Sequence, residues 1–187
     1  MNSYLTSKIE ELSPMRSVTM QTAVASFIER GGKSIVETGC YRGISGDGFG
    51  TLLLAQLAEQ VDGHVTSIEI NPDNLLKAQQ ILEENNLSNR VTLIHGDSVR
   101  QLSILTTTID LLYLDSYDYI EADPGPCQRH QLAELGAAFG KLAPRSLVLM
   151  DDFDLPSRGK CGLSVEFLLD RGAVELCRGY QILFSMT

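Results

Sequence analysis

The chain has 187 residues, 43% of them hydrophobic and 21% charged. That length and composition suit one folded domain with a sizeable core and exclude a disordered chain. Fifteen Lys+Arg against 24 Asp+Glu give a formal charge of −9, which argues against a nucleic-acid partner, because phosphate contacts need clustered cations.

No apolar run reaches the ~20 residues of a membrane span. The polar N-terminus resembles neither a signal nor a transit peptide. Cys40, Cys127, Cys161 and Cys177 are scattered without a C-x-x-C pair, so neither a zinc site nor a disulfide framework is expected. A reduced, cytoplasmic setting fits this usage.

In chain order, Met20, Ala23, Val24, Phe27 and Ile28 form one apolar helical stripe. Gly31-Gly32 ends it with a left-handed cap. SIVET (34–38) reads as a buried strand, followed by a glycine-rich loop over 39–50 and an apolar helix from about Phe49 to Val61. HVTSIEI (64–70) is a second strand. Asn71 then suits an N-cap and Pro72 a first helical position, for a helix reaching about Asn86.

RVTLI (90–94) is a third strand, with a short helix after Asp97-Ser98. IDLLYLD (109–115) is a fourth, followed by a loop over 116–127 and a helix with Leu132, Leu135, Phe139 and Leu142 on one face. SLVLM (146–150) ends at Asp151-Asp152, and a helix near 162–171 follows. AVELC and YQILFS close the chain as a hairpin around Arg178-Gly179.

Strands alternating with helices specify an α/β fold, and near-continuous apolar strands are covered on both faces. The expectation is a Rossmann-like, doubly wound, seven-stranded, mostly parallel sheet with one antiparallel edge strand. Residues 1–187 form one domain, with a helical extension over 1–32 and the core over 33–187. Ligands of such sheets bind beyond the carboxyl ends of the strands. Glu37, Glu69, Asp97, Asp115, Asp151 and Asp152 stand there. Some acids at these positions are expected as helix caps alone.

The glycine loop reads Glu37-Thr38-Gly39-Cys40-Tyr41-Arg42-Gly43. A nicotinamide site wants G-x-G-x-x-G, but Tyr41 holds the middle position, and no G-x-x-x-x-G-K-[ST] is present. Glu69, at the end of the second strand, suits both hydroxyls of a ribose. Glu37 would repel a pyrophosphate but can sit near a cationic amino-acid tail. Together they point to S-adenosylmethionine.

The stretch from Glu37 to Ser45 resembles the cofactor loop of catechol O-methyltransferase and its relatives, with the spacing E-x-G-x-Y-x-G-x-S. The similarity continues through Ile68–Asp73 and Val91–Ser98, more loosely through Leu114-Asp115 and Leu149–Asp152, and covers most of 33–155. It implies a class I methyltransferase in which Glu37, Gly39, Tyr41, Gly43 and Ser45 hold the methionine part. Glu69 would hold the ribose, Asp97 and Ser98 the adenine, with Asp115 at the cofactor's edge. It further implies Mg²⁺ or a similar cation on Asp115, Asp151 and Asp152, as in relatives that methylate antibiotic sugars. Three carboxylates are suitable hard ligands that could acidify a substrate hydroxyl. The plainer alternative is that Asp115 orders its loop and Asp152 caps a turn.

The catechol enzymes carry a lysine shortly after the first metal acid, and none stands there in this chain. Asp118 is therefore the first candidate for the general base and His130 the second. His64 and His95 need no chemical role. With no tryptophan in the chain, the catechol-type aromatic gate has no counterpart. The loops 116–127 and 154–160 are expected to shape the acceptor pocket, where Tyr117 and Tyr119 either stack on the acceptor or cover the sheet edge. The expected partner is a small-molecule acceptor, with a homo-oligomer possible and no nucleic acid or membrane. The alternatives are a metal-independent methyltransferase, a non-catalytic cofactor-binding subunit and, opposed by Tyr41 and Glu37, a nicotinamide oxidoreductase.

Overall fold

The computed structural model describes residues 3–43 and 49–187. Ser45 lies outside them. Seven strands form one sheet: β1 (Ser34–Thr38), β2 (His64–Glu69), β3 (Val91–His95), β4 (Ile109–Leu114), β5 (Leu142–Met150), β6 (Val174–Arg178) and β7 (Ile182–Ser185). Their order is β3-β2-β1-β4-β5-β7-β6. β1 pairs in parallel with β2 and β4, β2 with β3, and β4 with β5. β7 is antiparallel to both β5 and β6. The antiparallel strand therefore enters one place in from the edge, and its hairpin partner β6 forms the edge itself.

The two faces follow from the two-residue period of the strands. Ile35, Leu111, Leu147 and Leu183 belong to one buried cluster with Leu5 and Ile9 of α1 (Ser3–Leu12), Phe27 of α2 (Ser17–Glu29) and Leu54 of α3 (Gly50–Val61). The neighbouring residues Val36, Leu112, Val148 and Phe184 belong to a second cluster. That cluster includes Leu102 of α5 (Ser98–Ile104), Leu135 of α6 (Gly125–Phe139) and Leu168 of α7 (Gly162–Leu169). Burying each such side chain contributes about 1.5–3 kcal/mol. α4 (Pro72–Glu84) adds Leu82 to the first cluster.

Local chemistry sets the helix ends. The Asn71 side chain accepts the Asp73 N–H, with Pro72 at the first position of α4, the cap expected from sequence. The stop after α2 is also as expected: Gly31 has φ +70°.

Two boundaries differ from the sequence reading. α6 starts at Gly125, so the preceding loop is shorter, His130 lies inside the helix, and Leu142 belongs to β5. A proline in the first turn sets that start. β5 begins four residues before Ser146, through a register shift between Ile109 and Leu111. Arg145, at φ +62°, lies within that irregular stretch. As expected, the N-terminal extension is helical: its described residues, 3–32, hold two helices joined by a turn at Pro14–Arg16.

Candidate functional site

The strand order reverses between β1 and β4, and a crevice opens beyond their carboxyl ends, as the topology requires. The two ends touch: the Asp115 N–H donates to the Thr38 carbonyl over 2.9 Å, and the Gly39 N–H donates to Ile68 over 2.9 Å. Gly39 has φ +80°, and a Cβ there would lie 2.5 Å from the Asp115 carbonyl oxygen. Only glycine meets both constraints.

The crevice holds a cavity of about 420 Å³, walled by Gly39, Glu69, Asn71, Asp97, Ser98, Asp118 and His130 among others. Glu69 is fixed in its wall. Oε1 accepts the Asn71 N–H at 2.7 Å and Oε2 the Cys40 N–H at 3.2 Å. Asp97 caps α5 by accepting the Arg100 N–H at 2.8 Å. Ser98 Oγ lies 3.1 Å from His130 Nε2. The same nitrogen is 3.4 Å from Glu134 Oε1. Hydrogen bonding to that buried carboxylate raises the His130 pKa.

Beside it lies a smaller cavity of about 90 Å³, bounded by Arg16, Cys40, Arg42, Asp115, Asp118, Asp151, Asp152, Lys160 and Tyr180. One oxygen from each of Asp115, Asp151 and Asp152 lies within 4.8 Å of the others. The triad already holds cations. Arg16 donates Nε to Asp151 Oδ1 at 2.8 Å and Nη2 to Oδ2 at 2.7 Å. Lys160 Nζ lies 2.9 Å from Asp115 Oδ1 and 3.0 Å from Asp152 Oδ2. Tyr180 donates to Asp152 and Gln181 to Asp151.

Burial and the neighbouring Asp115 push Asp151 upward while Arg16 opposes them. We take Asp151 as anionic, because both its oxygens accept guanidinium bonds. Burial also opposes ionisation of Asp152, but Lys160 and Tyr180 outweigh it and lower its pKa.

A family profile described as "Methyltransferase domain" matches residues 36–153, well over half of the chain. The chain belongs to the methyltransferase domain family. No curated protein matches it. Among solved structures it is similar to the SAH-bound methyltransferase PaMTH1 of Podospora anserina, at 16% identity and TM-score 0.69, over 91% of this chain and 78% of that one. It is also similar to the O-methyltransferase TomG of Streptomyces achromogenes, in complex with SAM, at 17% identity and TM-score 0.64, over 100% and 91% of the two chains. A candidate caffeoyl-CoA O-methyltransferase of Staphylococcus aureus aligns at 17% identity and TM-score 0.69, over 100% and 93%. These likenesses share the fold.

In this methyltransferase domain, Gly39, Glu69, Asp97 and Ser98 reach the larger cavity. Two other expected cofactor residues stand behind it. Glu37 is 1% exposed, and its Oε2 accepts from Thr51 at 2.8 Å and Ser67 at 2.5 Å. Burial pushes its pKa up to about 8. Tyr41 is buried against Phe49, with ring centroids 5.7 Å apart, and its N–H donates to Thr51 Oγ1. Both brace the loop from below. Gly43, at φ +135°, follows on the same loop.

Asp115 borders the smaller cavity, and Asp118 borders both. Asp118 is exposed and paired with Arg42 at 2.6 Å. His130 stands at the Ser98 end of the larger cavity and does not border the smaller one. Its ring lies 5.1 Å from that of Tyr117.

The sequence reading missed Arg16 and Lys160. Arg16 carried no local signal, because it reaches the triad across 135 residues of chain; Lys160 lies only eight residues after Asp152 but ends an irregular loop with no regular spacing. Side chains placed this way do not fit a divalent ion. A metal would bond the carboxylate oxygens at about 2.0–2.1 Å if magnesium, in the space that the Lys160 ammonium fills, and would have to expel a buried cation.

Proposed function

We propose that the chain transfers the methyl group of S-adenosylmethionine to a hydroxyl oxygen of a small molecule. The observation that carries this reading is Glu69, locked by two backbone N–H groups into the wall of a cavity of about 420 Å³ at the β1/β4 reversal. That volume lies within the range of sites for cofactor-sized ligands. Membership of the methyltransferase domain family supports it, as do the SAH and SAM held by PaMTH1 and TomG.

The cofactor, when bound, supplies a methyl group activated on a sulfonium. The chain's own residues do the rest. Glu69 accepts hydrogen bonds from the ribose hydroxyls. Ser98 and His130 frame the opposite end of the cavity, where the adenine lies. Asp118, shared by both cavities, stands where an acceptor hydroxyl would meet the methyl group, and we assign it as the proton acceptor. Holding the two reactants in line supplies much of the rate. No step passes through a metal.

Calorimetry with S-adenosylhomocysteine tests the assignment. Glu69→Gln replaces a carboxylate oxygen with an amide N–H that faces backbone donors and the ribose. A hydrogen bond to a charged group contributes about 1.5–3 kcal/mol, so the affinity should fall at least about tenfold. Unchanged affinity in a folded variant would remove Glu69 from the cofactor site.

A further inference from the structure

We propose that Lys160 is a built-in cation of the acid triad, occupying the position of a divalent metal and making the site metal-independent. Among the described residues, the lining of the smaller cavity carries four acids, Asp115, Asp118, Asp151 and Asp152, and three cations, Arg16, Arg42 and Lys160. Every cation is paired. Arg16 takes Asp151, Arg42 takes Asp118, and Lys160 bridges Asp115 and Asp152. Among these residues one formal negative charge is left over. A divalent ion added to this set would reverse the sign.

The lysine's place is built by the backbone. Its side chain is 2% exposed. The segment leading to it, Ser157, Arg158 and Gly159, has φ of +59°, +63° and +53°, and Asp152 itself has φ +59°. A Cβ at Gly159 would lie 1.5 Å from the Asp152 carbonyl oxygen, so the chain turns back against Asp152 immediately before Lys160. Left-handed backbone at non-glycine residues is costly and persists only where the surroundings enforce it. Here it returns the lysine to the acids 45 residues downstream of Asp115. A metal that took Asp115 and Asp152 from the ammonium would leave it buried without its partners, which is strongly unfavourable.

The inference rests on the methyl-transfer reading for its consequence in the reaction, but its test does not. Manganese(II) is the probe, followed by the electron-spin resonance signal of the free ion. The wild-type protein should leave that signal unchanged. Lys160→Ala should bind about one equivalent, at least tenfold more tightly than wild type, and Lys160→Ala/Asp152→Asn should lose it again. Lys160→Met, similar in length and uncharged, repeats the test should the alanine variant unfold. Manganese uptake by wild type that Asp152→Asn abolishes would overturn the proposal. So would folded Lys160→Ala and Lys160→Met proteins that leave the signal unchanged. Should neither variant fold, the wild-type titration alone decides. S-adenosylhomocysteine binding on the same samples, with and without chelator, separates failure of this inference from failure of the methyltransferase reading. Binding independent of chelator is expected, and a chelator-sensitive affinity counts against the built-in cation.

Discussion

At the scale of single residues, Glu37 carries the clearest prediction. Its position two residues before Gly39 suggests a carboxylate facing the cofactor, but its side chain turns under α3 to Thr51 and Ser67. Burial there pushes its pKa up to about 8, against the two hydroxyl bonds that lower it. The unfolded chain ionises this group near pH 4.5, so between that pH and about 8 the folded state holds the proton more tightly. Stability from this group is full below pH 4.5 and is lost as pH rises towards 8. Glu37→Gln, which keeps an acceptor for both hydroxyls, should flatten that fall in thermal midpoint between pH 5 and 8. A fall as steep as in wild type would mean that Glu37 is ionised in the fold. Gly39, by contrast, was legible in sequence. The turn after a first strand at a sheet reversal needs backbone that only glycine supplies, and the Asp115 carbonyl stands where any side chain would go.

At the scale of elements, the N-terminal segment completes the site. The turn at Pro14–Arg16 brings Arg16 across 135 residues of sequence onto Asp151, with its guanidinium 4.7 Å from the Tyr180 ring centre. Thr19 of α2 donates to Gln181, the residue before β7, and Gln181 donates to Asp151, so α2 and the β6–β7 turn support the same carboxylate. Removing one partner of a buried ion pair costs about 3–5 kcal/mol, because the other charge is left uncompensated. Arg16→Ala should therefore lower the urea midpoint by a corresponding amount, and Arg16→Lys should recover it only in part, since lysine lacks the bidentate fork. A midpoint within error of wild type for Arg16→Ala would mean that the segment does not hold Asp151 in solution. The start of α6 was hidden for a different reason. Pro124, Gly125 and Pro126 read as loop, although proline in a first helical turn is equally a start signal. Likewise Pro144 and Arg145 argue against a strand, and β5 accommodates them with the register shift opposite Ile109 and Leu111.

At the scale of the whole molecule, the sheet was readable because strand burial is written locally. Runs such as Leu111–Leu114 are buried on both faces, and each ends close to an acid or glycine at the crevice. The two-cavity site was only half readable for the same reason. Glu69, Asp97, Asp115 and the Asp151-Asp152 pair lie at strand ends, where position alone nominates them, whereas Arg16 arrives from a distant turn and Lys160 from the irregular loop that follows Asp152, neither with a spacing signal. Among the described residues no helix is long and apolar enough to cross a membrane. On the proposed function, the larger cavity takes the nucleoside and amino-acid parts of S-adenosylmethionine, not a dinucleotide. A calorimetric titration of the wild-type protein with S-adenosylhomocysteine, and separately with NADH, tests it most directly. One site of about micromolar affinity for S-adenosylhomocysteine, near −8 kcal/mol, is expected, with no heat from NADH. Binding of NADH alone, or of neither, would contradict it.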